Sequence, residues 1–286
     1  MRIKENTRFL IVGLGLIGGS YADVLIKKDF HVSAFARRKE TIDIALSKGL
    51  ISEGYDYVNE DVIKKSDFII FALYPHIFIE WIEKYAHLIS PGTLITDVTG
   101  VKSSVVYRVQ SMLPQGVEFV ASHPMAGREV SGVENASGDI FKGANFVVTP
   151  TPDNTEESVE TVKMLGWMLG FARVSVLTPE EHDDMIGFLS QLTHCIAVCL
   201  MTGNEKPNLE RYTGDSFRDL TRIARINDVM WSELFLLNKE KLLSNIDVFM
   251  AELQKLRTAV KDDDVDTMRK MMRMSSDRRI LFDKKK

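Results

Sequence analysis

In "SHPMAG", residues 122–127, a histidine follows directly on "VEFVA", an apolar run of the kind that ends a buried strand. His123 is one of six histidines, and imidazole is the side chain that gains or loses a proton near neutral pH. At the mouth of a sheet it can take the proton of a hydroxyl while hydride leaves the same carbon, the two halves of an alcohol dehydrogenation. Position alone fits a structural histidine equally well, so a place for the hydride acceptor matters. "FLIVGLGLIGGS" supplies one. Gly13, Gly15 and Gly18 stand between a buried-strand pattern and a helix pattern, in a unit of about thirty residues, which is the dinucleotide fingerprint. Gly13 permits the tight turn, Gly15 lets backbone amides approach a pyrophosphate, and Gly18 lets helix pack on strand. Leu16 and Ile17 open the helix whose N-terminus attracts the phosphates, and they join the glycines as candidate cofactor-binding residues.

The end of the second strand selects between dinucleotides. An NAD site usually carries Asp or Glu there for the adenosine ribose. This chain has "HVSAFARRKET", with Ala36 followed by Arg37 and Arg38. Two guanidinium groups suit a 2′-phosphate, so we expect NADP to be preferred, with NAD possible. The plainer reading is that both arginines are solvated surface.

The elements that must position these residues alternate along the first half of the chain. "RFLIVGLG", "HVSAFA", "DFIIFALY", "TLITDVTG", "EFVASHP", "NFVVTP" and "ARVSVL" read as strands separated by helix-period stretches, the rhythm of a mainly parallel sheet with crossover helices. After Pro179 the chain reads as long helices to Asp283. Thr178 is a natural N-cap, with Pro179 at the first helical position and acids in the first turn, for a helix we expect to be long and largely buried. The expected architecture is α/β: a Rossmann-like nucleotide-binding domain over 1–178 and an all-helical substrate and dimerisation domain over 179–286.

The 36 basic and 40 acidic residues are spread along the chain, so no basic face presents itself to nucleic acid or an anionic membrane, and the expected partner is a small molecule. The start, "MRIKENTRFLIVGLG", lacks a secretory pattern, and Cys195 and Cys199, one helical turn apart, read as reduced thiols; together they suggest a cytoplasmic protein. A metal site of His194, Cys195 and Cys199 is rejected, because adjacent helical residues point in different directions.

The set "VGLGLIGGS", "TDVTGVKSS", "SHPMAG", "EEHD", "FLSQLTH" and "FRDLTRIA…MWSELFLLNK" resembles the prephenate dehydrogenase family, which includes arogenate and cyclohexadienyl dehydrogenases. The resemblance runs through nearly the whole chain in the family's order. It implies oxidation of a cyclohexadienol with loss of the ring carboxylate as carbon dioxide, in tyrosine biosynthesis. It makes His123 the acceptor for the ring hydroxyl proton, places His194 on the cleft-lining helix, and assigns the substrate carboxylate to Arg222. Where the family commonly has serine in its "D-x-x-S-V-K" motif this chain has Gly100, so either Thr99, Ser103 or a water supplies the hydroxyl, or turnover is weaker than usual. We read His182 as first-turn scaffolding and Lys102 as the partner of a neighbouring acid. Apolar residues on more than one face of "VMWSELFLLNKEKLLSNIDVFMAELQKL" suggest an interlocked homodimer, which the resemblance also implies. Two other readings stay open: a β-hydroxyacid-type NADP dehydrogenase, and an NADP-binding sensor without catalysis, for which Gly100 is the best support. Prephenate is slightly favoured over arogenate, since no acid stands out as a partner for an ammonium group.

Overall fold

A computed structural model describes residues 3–282. The chain runs β1 (Arg8–Val12), α1 (Leu16–Ile26), β2 (His31–Phe35), α2 (Lys39–Ser47), β3 (Glu53–Tyr55), α3 (Glu60–Lys65), β4 (Phe68–Phe71), α4 (Pro75–Tyr85), β5 (Leu94–Asp97), α5 (Ser103–Gln110) and β6 (Glu118–Phe119). These strands form one six-stranded sheet in the order β3-β2-β1-β4-β5-β6, every pairing parallel. β1 and β4 carry "FLIV" and "FIIF" with every side chain buried, because helices cover both faces of a parallel sheet. The strand order reverses between β1 and β4, which places a ligand crevice at their carboxyl ends.

The remaining strands depart from the expected single sheet. β7 (Ala121–Met125), β8 (Asn145–Thr149) and, after α6 (Glu156–Met168), β9 (Arg173–Val176) make a separate three-stranded sheet, antiparallel between β7 and β8 and parallel between β8 and β9. "EFVASHP", read as one strand, is therefore two. Glu118 and Phe119 finish the parallel sheet, and from Ala121 the chain pairs with β8 instead. Hydrophobic periodicity reports which side chains are buried, not which strand is the neighbour or its direction. β3 was not foreseen: three half-buried residues, "EGY", carry no apolar run.

Beyond Val176 the described residues contain helices and no strand: α7 (Pro179–Ile186), a π-helical turn (Gly187–Leu192), α8 (Thr193–Thr202), α9 (Asp215–Thr221), α10 (Asp228–Leu237), α11 (Lys239–Lys261) and α12 (Val265–Ile280). The start of α7 is as the sequence suggests, with Thr178 and Glu181 forming a reciprocal capping box and Pro179 in the first turn. The expected deep burial of this run is not found: only 28% of its most apolar window is buried, and Phe188 and Met201 are 54% and 51% exposed. By length and composition alone the run Pro179–Thr202 is long and apolar enough to cross a membrane, yet its first turns put His182 and Asp183 into buried polar contacts. The chain divides into two compact units between Asn238 and Lys239. In the second, α11 packs against α12 across the short "DDD" turn, with Asp264 capping α12.

Candidate active site

The glycine turn has the geometry its sequence implies. Gly13 sits at φ +104°, and a Cβ there would lie 2.4 Å from the carbonyl oxygen of Ala72, at the carboxyl end of β4. At Gly18 a Cβ would lie 2.0 Å from the Gly13 carbonyl oxygen, so both positions are closed to any side chain. Gly15 is the opposite case: a Cβ would meet no heavy atom within 4 Å, so the space in front of it is open. It is also the N-cap of α1, and no side chain caps that helix start. First-turn amides facing an open, Cβ-free approach fit a pyrophosphate. Leu16 is buried and Ile17 partly so, the two residues that anchor this turn to the core. At the end of β2, Ala36 is followed by Arg37 and Arg38, both exposed; Arg38 is the N-cap of α2. Among the described residues neither guanidinium is within 4.0 Å of a carboxylate oxygen.

His123 lies on β7 and is held from below by buried charge. Lys102 and Asp97 are fully buried and paired at 2.7 Å, so the lysine does pair with a neighbouring acid as expected. Lys102 Nζ also donates to the Ser122 carbonyl at 2.6 Å, and the Ser122 N–H donates to Asp97 at 3.0 Å. The pair thus ties the end of β5 to the residue preceding His123. Burial pulls the lysine's affinity for its proton down, against the opposing attraction of Asp97.

His123 Nδ1 is 2.9 Å from His182 Nε2, and His182 Nδ1 is 2.8 Å from Asp183 Oδ1. Asp183 in turn accepts the backbone N–H groups of Lys102 and Ser103, each at 2.8 Å. A carboxylate already accepting two amides must take the His182 Nδ1 proton, so His182 Nε2 is a bare acceptor and His123 Nδ1 is the donor. The Nε2 lone pair of His123 is left for another partner. Burial, followed by the charges of His182 and Lys102, holds His123 well below the usual imidazole range, so the ring is neutral near pH 7. Burial likewise lowers His182, while it pushes Asp183 up; the bond from His182 and the two amides outweigh that push and leave Asp183 below its ordinary value.

Gly100, which follows the carboxyl end of β5, borders His123 directly. A Cβ there would lie 3.5 Å from a Leu234 methyl and 3.9 Å from His123 Cε1, ordinary contact distances. Thr99 is buried, bonded to Asp97 and the Val101 carbonyl, and takes the Lys102 ammonium at 3.2 Å, so its hydroxyl is engaged in that network. Ser103 contributes its backbone N–H to Asp183 at the start of α5.

A second group gathers around α10. His194, just past the π-helical turn, donates from Nδ1 to the Ser190 carbonyl at 2.8 Å, which leaves its Nε2 as an acceptor. Its ring stacks on Trp231 with centroids 3.7 Å apart. Burial lowers its affinity for a proton, and Arg222 adds to this. Arg222, exposed on its 3₁₀ turn, pairs with Glu129 from the loop after β7. Trp231 and Leu234, three apart on α10, face the same way, so one helix contacts both His194 and the Gly100 turn. Gln191 in the π turn fixes that helix, donating to the Leu234 carbonyl at 2.9 Å and accepting from Asn238 at 2.8 Å.

Sequence reasoning missed His182, Asp183, Trp231 and Glu129. His182 was read as scaffolding because its acids suit a helix start, and Glu181 does serve the cap. The signal that was present is the histidine in a helix's first turn, where one face must pack inward; its partner, 59 residues away, was not readable.

The nucleotide-binding domain of prephenate dehydrogenase matches residues 25–176, and the dimerization domain of prephenate dehydrogenase matches residues 178–274. Among curated relatives, prephenate dehydrogenase of Bacillus subtilis is 34% identical over 94% of this chain and 74% of its own length. Cyclohexadienyl dehydrogenase of Zymomonas mobilis is 29% identical over 90% of this chain and 89% of its own. Among solved structures, prephenate dehydrogenase from A. aeolicus in complex with hydroxyphenyl propionate and NAD+ superposes with a TM-score of 0.89 at 29% identity, covering 97% of this chain and 98% of that one. With a glycine turn open for a nucleotide, a buried histidine pair next to the turn that follows β5, and both family domains matched in order, this chain belongs to the prephenate dehydrogenase family.

Proposed function

We propose that this protein oxidises and decarboxylates prephenate, or its amino counterpart arogenate, to the corresponding 4-hydroxyphenyl product, in tyrosine biosynthesis. The observation that carries the reading is the free Nε2 lone pair of a neutral His123, held through Nδ1 by His182 next to the turn that follows β5. A bound nicotinamide dinucleotide supplies the hydride acceptor. His123 takes the hydroxyl proton as the ring carbon is oxidised and the ring carboxylate departs. It need not be a strong base, because aromatisation supplies much of the driving force. Arg222 exchanges the Glu129 carboxylate for a substrate carboxylate, a like-for-like replacement that keeps the guanidinium paired throughout. His194 presents Nε2 beside the Trp231 face, an acceptor and an aromatic surface suited to the substrate ring and its polar groups.

The preference for NADP rests on Ala36 in place of an acid and on exposed Arg37 and Arg38. The division into a nucleotide-binding part, 1–178, and a helical part, 179–286, is supported by the family domains meeting between 176 and 178. A homodimer is supported by the exposed apolar side chains of the π turn and α8 and, separately, of α11, where Val248 and Met250 are each 60% exposed. Light scattering that gave a monomer at micromolar concentration would remove the dimer. The free Cys195 and Cys199 suit a reducing, cytoplasmic setting.

The test is a four-way comparison of kcat/KM with prephenate and arogenate against NADP and NAD. Turnover favouring prephenate and NADP is expected, and absence of turnover in all four pairings overturns the reading. Two variants locate the roles. Arg222→Ala should raise the substrate KM far more than the cofactor KM. Arg37→Ala with Arg38→Ala should weaken NADP binding by roughly 10- to 100-fold while sparing NAD, the worth of one charge-assisted hydrogen bond.

A further inference from the structure

The chain from His123 through His182 to Asp183 does more than hold a ring in place. We infer that His123 and His182 act as one two-ring base, in which His182 sets the tautomer of His123 before reaction and receives the positive charge afterwards. The inference rests on the proposed dehydrogenase reading and deepens it.

The starting state is fixed by the network. Asp183 takes the Nδ1 proton of His182, His182 Nε2 takes that of His123, and only His123 Nε2 remains unbonded. The transfer then balances as follows. The substrate O–H breaks as N–H forms at His123 Nε2; the N–H at His123 Nδ1 breaks as one forms at His182 Nε2. One proton leaves the substrate oxygen, and the added positive charge ends on His182, with both His182 nitrogens protonated and Nδ1 against the Asp183 carboxylate. After product departs the proton on His182 Nε2 returns to His123 Nδ1, and the proton on His123 Nε2 leaves to water.

The surrounding charges favour that end point. Three charged groups face the two rings: Lys102, Asp97 and Asp183, from the turn before α5, from β5 and from α7. Lys102 repels a charge on either ring. Only His182 has a carboxylate in direct contact, and Asp97 also favours its charged form. A proton left on His123 would have no such partner. His182 is fully buried, so the charge it carries is shielded from water and depends on Asp183. His182 touches neither substrate nor cofactor in this scheme and is a positioning residue.

Two measurements test it. Nitrogen-15 NMR of the ligand-free protein with labelled histidine, near pH 7.5, is expected to show His123 and His182 both protonated at Nδ1 and bare at Nε2. A proton on His123 Nε2 overturns the inference and needs neither a variant nor turnover. The second uses His182→Gln, which keeps a neutral hydrogen-bonding group but cannot accept a proton. Its kcat is expected to fall by about tenfold or more, with both KM values and the melting temperature held near wild type, as for loss of an orienting partner in a hydrolytic triad. The acid limb of its pH profile should move downward, because a proton on His123 can no longer pass its charge to a ring paired with Asp183. A wild type that turns over beside a His182→Gln variant with unchanged kcat and pH limb sinks the two-ring base and leaves the dehydrogenase standing. A wild type without turnover sinks the dehydrogenase first.

Discussion

The glycine turn and the histidine chain are built in opposite ways: one lies at the carboxyl end of β1, the other on β7 behind the turn that follows β5. The turn is built of backbone from residues 13 to 18, contiguous in sequence, and is open where Gly15 faces out. The histidine chain is built of side chains from β7 and α7, supported by β5 and the turn before α5, and its inner members are closed to solvent. A backbone site leaves no room for a side chain at Gly13 and Gly18; a side-chain site needs particular groups whose protonation is set by burial. One is fixed by sterics and the other by electrostatics, so they should fail differently.

The largest expected effect is at the histidine. His123→Asn should lower kcat by roughly 10²- to 10⁴-fold, the usual worth of a general base, while the cofactor dissociation constant stays put. A matching loss of cofactor affinity, read by fluorescence titration, would mean the two regions are not separable.

The glycines should split by their surroundings. Gly15→Ala is expected to leave the melting temperature unchanged and weaken cofactor binding by about tenfold, roughly 1.4 kcal/mol, since its Cβ meets open space where phosphate must approach. Gly13→Ala forces a side chain into φ +104° and onto the Ala72 carbonyl, so it should destabilise the fold by about 1–3 kcal/mol or more before any question of binding arises. Equal melting temperatures for the two variants would break the steric account.

Electrostatics should appear in stability against pH. His123 and His182 both hold their protons less tightly folded than unfolded. The unfolded chain therefore binds more protons once pH falls to the ordinary imidazole value of about 6.5, and folding stability should drop below it by up to about 1.4 kcal/mol per pH unit for each histidine. Asp183 works in the same direction at lower pH, where its depressed folded value is reached. Urea titrations that give a flat stability between pH 7 and 5 would show that these rings are not held neutral.

The smallest effect belongs to Gly100→Ser. The new Cβ fits at ordinary contact distance from Leu234 and His123, so the fold should be unaffected. A hydroxyl beside His123 is expected to raise kcat a few-fold, roughly 1 kcal/mol for one added hydrogen bond. A fall in kcat would show a site shaped around glycine.

How much was legible follows from how far apart the cooperating residues lie. The turn was legible because its strand, glycines and helix are consecutive. The start of α7 was legible for the same reason: Thr178 and Glu181 satisfy each other within one turn. The split of "EFVASHP" was not, since leaving the parallel sheet for β8 depends on a partner at residues 145–149. Nor was the role of His182, because the same "EEHD" that caps a helix also sends a ring to a histidine 59 residues earlier. Gly100 stands out in the sequence as a departure from the family, but only the structure shows that the Thr99 hydroxyl is bonded to Asp97.

The sequence alone determined the nucleotide turn, the alternation that makes a parallel sheet, the helical second half and the candidacy of His123, because each is written in local order, periodicity or a contiguous motif. Tertiary structure decided which nitrogen of His123 is free, that His182 and Asp183 stand behind it, and that Trp231 and Glu129 join His194 and Arg222. Proton placement depends on burial and on hydrogen-bond partners brought together from distant segments, and neither exists until the chain has folded.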